Sequence, residues 1–407
     1  MQLFGCSGAP LMNCPGVMDQ RARFRTAAAH GAAARAKASR IGNCIVAVGL
    51  LSAAPGLSAQ QPTRATVSSE QACESCRVDI VKDVTLGSED DSLVADVWNN
   101  VVRTESGDYV AANLIGPRAD HLRLYSSDGE FVRRIGRRGR GPGEFGSILH
   151  MTLGRADSIF VFEPGRVSVM SPAANFVRTI NIPITNMAQA IVTPENEFLV
   201  SAQYRTRELA GLPVHRLSSS GQHLASFGAE PPAFDLERPS LSVRRIARAQ
   251  DGSLWLVRPD RYEIEHWTAD GRRLRVLTRT VDWFPPREVE MYGEGERPTP
   301  FIRDIRVGPE GNLWVLAIRE DPDWRRSSEM AGYEQPASPA RDAKLFDSVV
   351  EVIDPASASL VASLQLPYRA GRFVDAARED GSMRIWALHE TDLGLFMIDV
   401  WRLSLNQ

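Results

Sequence analysis

The chain has 407 residues, with 47 lysines and arginines against 50 aspartates and glutamates, and 43% of it is hydrophobic. That profile belongs to a globular protein and excludes a disordered chain or one with many membrane spans. Only Lys37, Lys82 and Lys344 are lysines, and the near-balanced charge gives nucleic acid no global electrostatic reason to bind.

In chain order, the first element is a leader. Arg21, Arg23, Arg25, Arg35, Lys37 and Arg40 precede an apolar run from Ile41 to Ala54, which Pro55-Gly56 and the small residues Leu57-Ser58-Ala59 follow. This basic, apolar, small-residue order reads residues 1–59 as a secretory signal peptide cleaved after Ser58 or Ala59, with Met18 as the expected true start. The apolar run is shorter than the roughly 20 residues a spanning helix needs, so no stable membrane span is expected after processing. Cys44 follows Asn43, a poor lipobox, and no lipid anchor is expected.

Cleavage removes six basic residues and one acid, leaving 41 against 49. The mature chain, expected to be periplasmic or secreted, is thus acidic, which further weakens a nucleic-acid reading. It keeps two cysteines, Cys73 and Cys76, in an N-terminal segment of residues 60–80. In an oxidising compartment such a pair closes as a small-loop disulfide. A c-type haem site lacks its His after the second Cys, and a structural zinc site lacks a second CxxC.

From residue 81 to 407 one unit recurs six times. Its turn and second strand read Ser106-Gly107-Asp108-Tyr109-Val110, then Ala156 to Val161, Glu195 to Val200, Asp251 to Leu256, Glu310 to Val315 and Asp380 to Trp386. A later turn recurs five times, as in Ser127-Asp128-Gly129-Glu130 and Ala269-Asp270-Gly271-Arg272. The glycines supply the positive φ of tight hairpins, and the flanking apolar alternation suits a pleated, half-buried sheet. No helical period persists after Pro62, so the fold class is all-β. The units average about 54 residues, long for a repeat of this kind, because of insertions at Arg205–Pro213, Asp282–Pro300 and Arg319–Phe346. Trp283, Trp324 and Tyr333 lie in those insertions as candidate peptide or glycan contacts, whereas Trp255, Trp314 and Trp386 recur at one strand position and read as core.

The last unit lacks its outermost strand. Asp83-Val84-Thr85-Leu86-Gly87 matches Val132-Arg133-Arg134-Ile135-Gly136, the outermost strand of the first unit, so the N-terminal strand is expected to complete the last sheet and close the ring.

The link Gly136-Arg-Arg-Gly139-Arg-Gly141-Pro142-Gly143-Glu144-Phe145, followed by a strand and then Ile159-Phe160-Val161, resembles the NHL-type repeat of six-bladed β-propellers. Across residues 73–407 the chain resembles exported bacterial six-bladed propeller proteins. The resemblance implies a six-bladed β-propeller and leaves function open, because such folds host lyases, lactonases, glycan binders and scaffolds. The glycine-rich link itself lacks the Lys-Ser/Thr ending of a phosphate loop and reads as an interblade turn.

Nine residues before the second strand of the first five units stand Asn100, His150, Gln189, Arg245 and Asp304, and each is followed by an apolar residue. In the sixth unit the spacing slips, and Asp375 is the nearest polar equivalent. These six are the candidate ligand ring of the central channel, with Arg245 as an anion contact. The function expected is a non-enzymatic binding or scaffolding propeller that holds a protein, peptide or glycan ligand of the cell envelope at the channel mouth and blade-top loops. The alternative is a calcium-dependent lactonase, hydrolase or lyase with oxygens from Asn100, Gln189, Asp304 and Asp375 and His150 as base. Against calcium, Arg245 brings a positive charge into the same ring.

Overall fold

The computed structural model describes residues 61–88, 99–113, 120–184, 186–202, 204, 209, 211–228, 243–285, 298–324, 345–376 and 382–406. The expected leader, most of each insertion and Tyr333 lie outside the described residues. Six sheets form, and the main strands of each run from innermost to outermost in chain order, with two strands from the N-terminal part added at the outer edges of the fourth and sixth. The innermost strands are Asn99–Arg103, His150–Leu153, Met187–Val192, Arg245–Arg248, Phe301–Val307 and Ala370–Phe373. Each of the first five lies beside the innermost strand of the following sheet, and Asp375–Ala376, just after the sixth, pairs with the first, so the chain is a six-bladed β-propeller.

Among the described residues the core is divided rather than central. Six hydrophobic clusters each fill one seam between neighbouring blades, in order around the ring: Val110 with Met151, Phe162 with Phe198, Leu199 with Leu256, Val257 with Val315, Trp314 with Phe373, and Trp386 with Tyr109. Trp255, Trp314 and Trp386 are buried seam residues. Gly371 is demanded by one of these seams, because a β-carbon there would sit 2.1 Å from the indole of Trp386. Trp283 packs on Tyr262 and Phe284, and Trp324 on the small cluster of Ile318, Leu345 and Phe346, so both are partly buried rather than displayed.

The chain's N-terminal part straps three blades together. Thr63–Thr66 runs parallel to Arg273–Thr278 as a fifth strand of blade four. The amide of Ala72 then bonds to the carbonyl of Leu360 in blade five at 2.8 Å. Cys73 and Cys76 form a disulfide, and the Gln71 side chain donates to both of their carbonyls. Finally Arg77–Leu86 lies antiparallel to the C-terminal strand Phe396–Asn406, from Arg77 opposite Asn406 to Leu86 opposite Ile398, as the outermost strand of blade six. The seam between blades six and one carries a second tie, the parallel pairing of Asp375–Ala376 with Val102–Arg103.

Candidate functional site

An innermost propeller strand has a free edge facing the channel, and its amide and carbonyl groups need partners. Side chains of the expected ring supply them. Asn100 Oδ1 accepts from the Met151 amide at 2.6 Å, joining blade one to blade two. His150 Nε2 donates to the Ala190 carbonyl at 3.1 Å, joining two to three. Gln189 clasps Ile246, accepting from its amide and donating to its carbonyl, both at 3.0 Å. Asp304 Oδ2 accepts from the Phe373 amide at 3.2 Å, joining five to six. In each case the partner belongs to the apolar residue that follows the next ring position. These four expected ring residues lie on innermost strands, and their side chains turn toward the neighbouring blade rather than stand free in the channel. The reason is that propeller sheets are radial, so both faces of an inner strand look at other blades.

Arg245 cannot join this scheme, because a guanidinium has no acceptor for an amide N–H. The amide it would have met, that of Ile305, is instead capped within its own strand by Asp304 Oδ1 at 2.9 Å. Arg245 Nε and Nη1 are buried with no hydrogen-bond partner.

The register of blade six places Arg372, not Asp375, at the sixth ring position. Phe373 pairs with Ile385 as Ala190 pairs with Val200 and Ile305 with Val315, and its amide is the one that Asp304 caps, so the residue before it, Arg372, stands where Gln189 and Asp304 stand. The turn between the first and second strands of blade six is two residues longer than in the other blades, which is why counting back nine residues overshoots to Asp375. Asp375 contributes backbone pairing to Val102; its side chain lies outside the described residues. Arg372 is buried and crosses the channel to the Ala188 carbonyl of the opposite blade three, 3.3 Å away.

The channel is thus cationic. Arg303 donates to the Gly371 carbonyl at 2.6 Å, and Arg306 to Asp304 Oδ1 at 3.1 Å. Burial, with the nearby Arg372 charge, pushes the Arg245 guanidinium down to about 9, still protonated at neutral pH. Burial and the Arg372, Arg369 and Arg245 charges hold Arg303 well below its ordinary value. Burial followed by the Arg372, Arg306 and Arg245 charges keeps His150 neutral, well below the usual imidazole range. With Nε2 donating to Ala190, neutral His150 leaves Nδ1 as a lone-pair acceptor, and that atom is buried and without a partner.

The channel widens into a funnel of about 650 Å³ at the end where the first and second strands of each blade turn, lined among others by Gln189, Ala247, Arg248, Arg306 and Arg384. Calcium takes six to eight oxygen ligands. Here the oxygens of Asn100, Gln189 and Asp304 already accept amide or guanidinium donors, and Asp304 stands among arginines. The ring does not fit calcium, and among the described residues no three His, Cys, Asp or Glu side chains converge.

Gln189→Ala tests the clamp. It strands one buried amide and one buried carbonyl, so the expected loss is about 2 to 4 kcal/mol in urea unfolding. A loss below about 1 kcal/mol would show that water replaces the side chain there.

Residues 117–224 match the family model DUF5128, described as "6-bladed beta-propeller". No curated protein matches the chain. Among solved structures, a member of the DUF4221 family from Bacteroides vulgatus is 11% identical with a TM-score of 0.53, covering 81% of this chain and 99% of its own. Virginiamycin B lyase from Staphylococcus aureus is 9% identical with a TM-score of 0.42, covering 81% of this chain and 100% of its own. A putative gluconolactonase is 12% identical with a TM-score of 0.43, covering 82% of this chain and 93% of its own. These likenesses concern the fold alone.

Proposed function

We propose that this propeller is an exported binding module that holds a protein, peptide or glycan ligand of the cell envelope at its channel mouth and surrounding loops. One observation carries the reading: the oxygens of Asn100, Gln189 and Asp304 are engaged in joining blades. What remains in the channel is a set of guanidinium donors, suited to holding a ligand rather than to positioning a metal-bound water. The leader pattern and a closed Cys73–Cys76 pair both suit export to an oxidising compartment.

The test is elemental analysis of residues 60–407, purified from an oxidising compartment without chelator, alongside a lactone and ester screen. The expected result is no stoichiometric calcium or zinc and no chelator-sensitive turnover. Near-stoichiometric metal that disappears in Asp304→Asn, together with turnover that disappears with it, would establish the hydrolase or lyase reading instead.

A further inference from the structure

We infer that the channel contains a carboxylate-binding site, formed by Arg245 and Arg372 with His150 beside them, which anchors the acidic group of a hydroxyl-bearing organic acid. This rests on the binding-module reading and names the chemistry of the group bound.

The first observation is an imbalance of charge. Arg245, Arg303, Arg306 and Arg372 come from the inner strands of blades four, five and six, and Asp304 is the only carboxylate on those strands whose side chain is described. Arg372 and Arg303 are nearly solvent-free, at 7% and 3% exposure. Several buried cations served by one carboxylate, Asp304, are unfavourable together, and a bound anion reduces that penalty.

The second is unused donor capacity. Arg245 Nε and Nη1 are buried without an acceptor, and Arg372 uses one of its five N–H groups, on Ala188. A guanidinium presents paired N–H groups at the spacing of two carboxylate oxygens. Arg303 and Arg306, by contrast, donate to Gly371 and Asp304, which leaves Arg245 and Arg372 as the recognition pair.

The third is the acceptor. His150 is held neutral among those same arginines, with Nδ1 offering a lone pair. A lone pair cannot face a carboxylate oxygen favourably, but it accepts from a hydroxyl next to the carboxylate. The funnel opens on the same channel, and its lining includes Gln189, the ring position between His150 and Arg245.

The probes are malate, succinate and inorganic phosphate, titrated calorimetrically into residues 60–407 at constant ionic strength in chloride, with melting temperature followed in parallel. Malate and succinate differ by one hydroxyl, so the pair reads the contribution of His150. Malate is expected to bind more tightly than succinate and to raise the melting temperature. Arg245→Gln and Arg372→Gln are each expected to weaken malate about tenfold or more, and Arg133→Gln, on the outer strand of blade one, to leave it unchanged. Without ligand, Arg245→Gln is expected to melt no lower than the parent, because it removes a buried charge; a merely structural arginine would lower it.

Phosphate binding with no response to either acid would overturn the carboxylate assignment, and so would malate binding that survives both arginine variants. No response to any of the three would remove the site while leaving the binding-module reading in place. Chelator-sensitive lactone turnover, in contrast, would remove that reading whatever the titrations show.

Discussion

Glu351→Ala is expected to destabilise the propeller by about 3 to 5 kcal/mol. Glu351 is 2% exposed, at the seam of blades four and five. Its carboxylate accepts from Arg279 Nε and Nη2, both at 2.8 Å, and from the Tyr262 hydroxyl. Burial, and then the Glu351 charge, raise the Tyr262 phenol well above its ordinary value, so the hydroxyl keeps its proton and donates. The remaining Arg279 nitrogen, Nη1, donates to the carbonyl of Ser68, which ties the N-terminal strap to the same network. Removing the carboxylate leaves a buried guanidinium with that one carbonyl partner. Tyr262→Phe removes a single neutral donor and is expected to cost about 1 kcal/mol. The combined variant Tyr262→Phe, Glu351→Leu, Arg279→Met should recover much of the loss, because replacing a whole buried ion pair by apolar side chains is far less harmful than breaking it. Urea unfolding of all three ranks them. Equal losses in Glu351→Ala and Tyr262→Phe would mean that water reaches Arg279 and the network is not closed.

Much of this architecture is legible in the sequence, and the reasons are local. The hairpin turns need glycine, asparagine or aspartate, so they recur visibly, and the apolar alternation between them follows from the pleat. The match of Asp83–Gly87 to Val132–Gly136 is legible because both are outermost strands that end in a glycine, and the first of them ends where a neighbouring blade's turn closes on it. Gly129 in blade one has a β-carbon position 2.1 Å from the Thr85 carbonyl, and Gly221 in blade three repeats that approach at 2.0 Å from Asn181. The polar ring is also visible, because inner-edge amides need the same kind of side chain in each blade. What spacing alone does not carry is direction. Asn100 and Arg245 occupy equivalent positions, but one accepts from the next blade and the other cannot. Arg372 escapes a count along the chain because the turn after it is longer in blade six. Its signal is the short run Gly371-Arg372-Phe373, a small residue under Trp386 and an apolar residue following the polar one, as in Arg245-Ile246 and Asp304-Ile305. The Glu351 network is silent in sequence, since its members come from three remote segments.

Removing residues 60–87 is expected to have the larger effect of the two, ending cooperative unfolding as a monomer. The loss takes away Leu86 and Val78, at 0% and 6% exposure. Each such apolar side chain contributes roughly 1.5 to 3 kcal/mol. It also takes the whole ladder that pairs Arg77–Leu86 with the C-terminal strand. The edge of Phe396–Asn406 is then left open, and an unpaired outer strand recruits another chain. Removing only residues 60–72 strips the added strand from blade four and the tie to Leu360 in blade five, but leaves blade six complete, so a monomer with a lowered melting temperature is expected. Size-exclusion chromatography with calorimetry separates the two outcomes. A shortened chain beginning at residue 88 that stays monomeric and melts like the parent would show that the ring closes without this strand. The register offers a rescue with the same physics. Because Arg77 lies opposite Asn406, residues 77–87 can be moved to follow Gln407 through a short Asn-Gly turn, making the strand the second arm of an ordinary hairpin. That permuted chain should regain monomeric, cooperative unfolding, since closure depends on the strand's place in the sheet and not on which end of the chain delivers it.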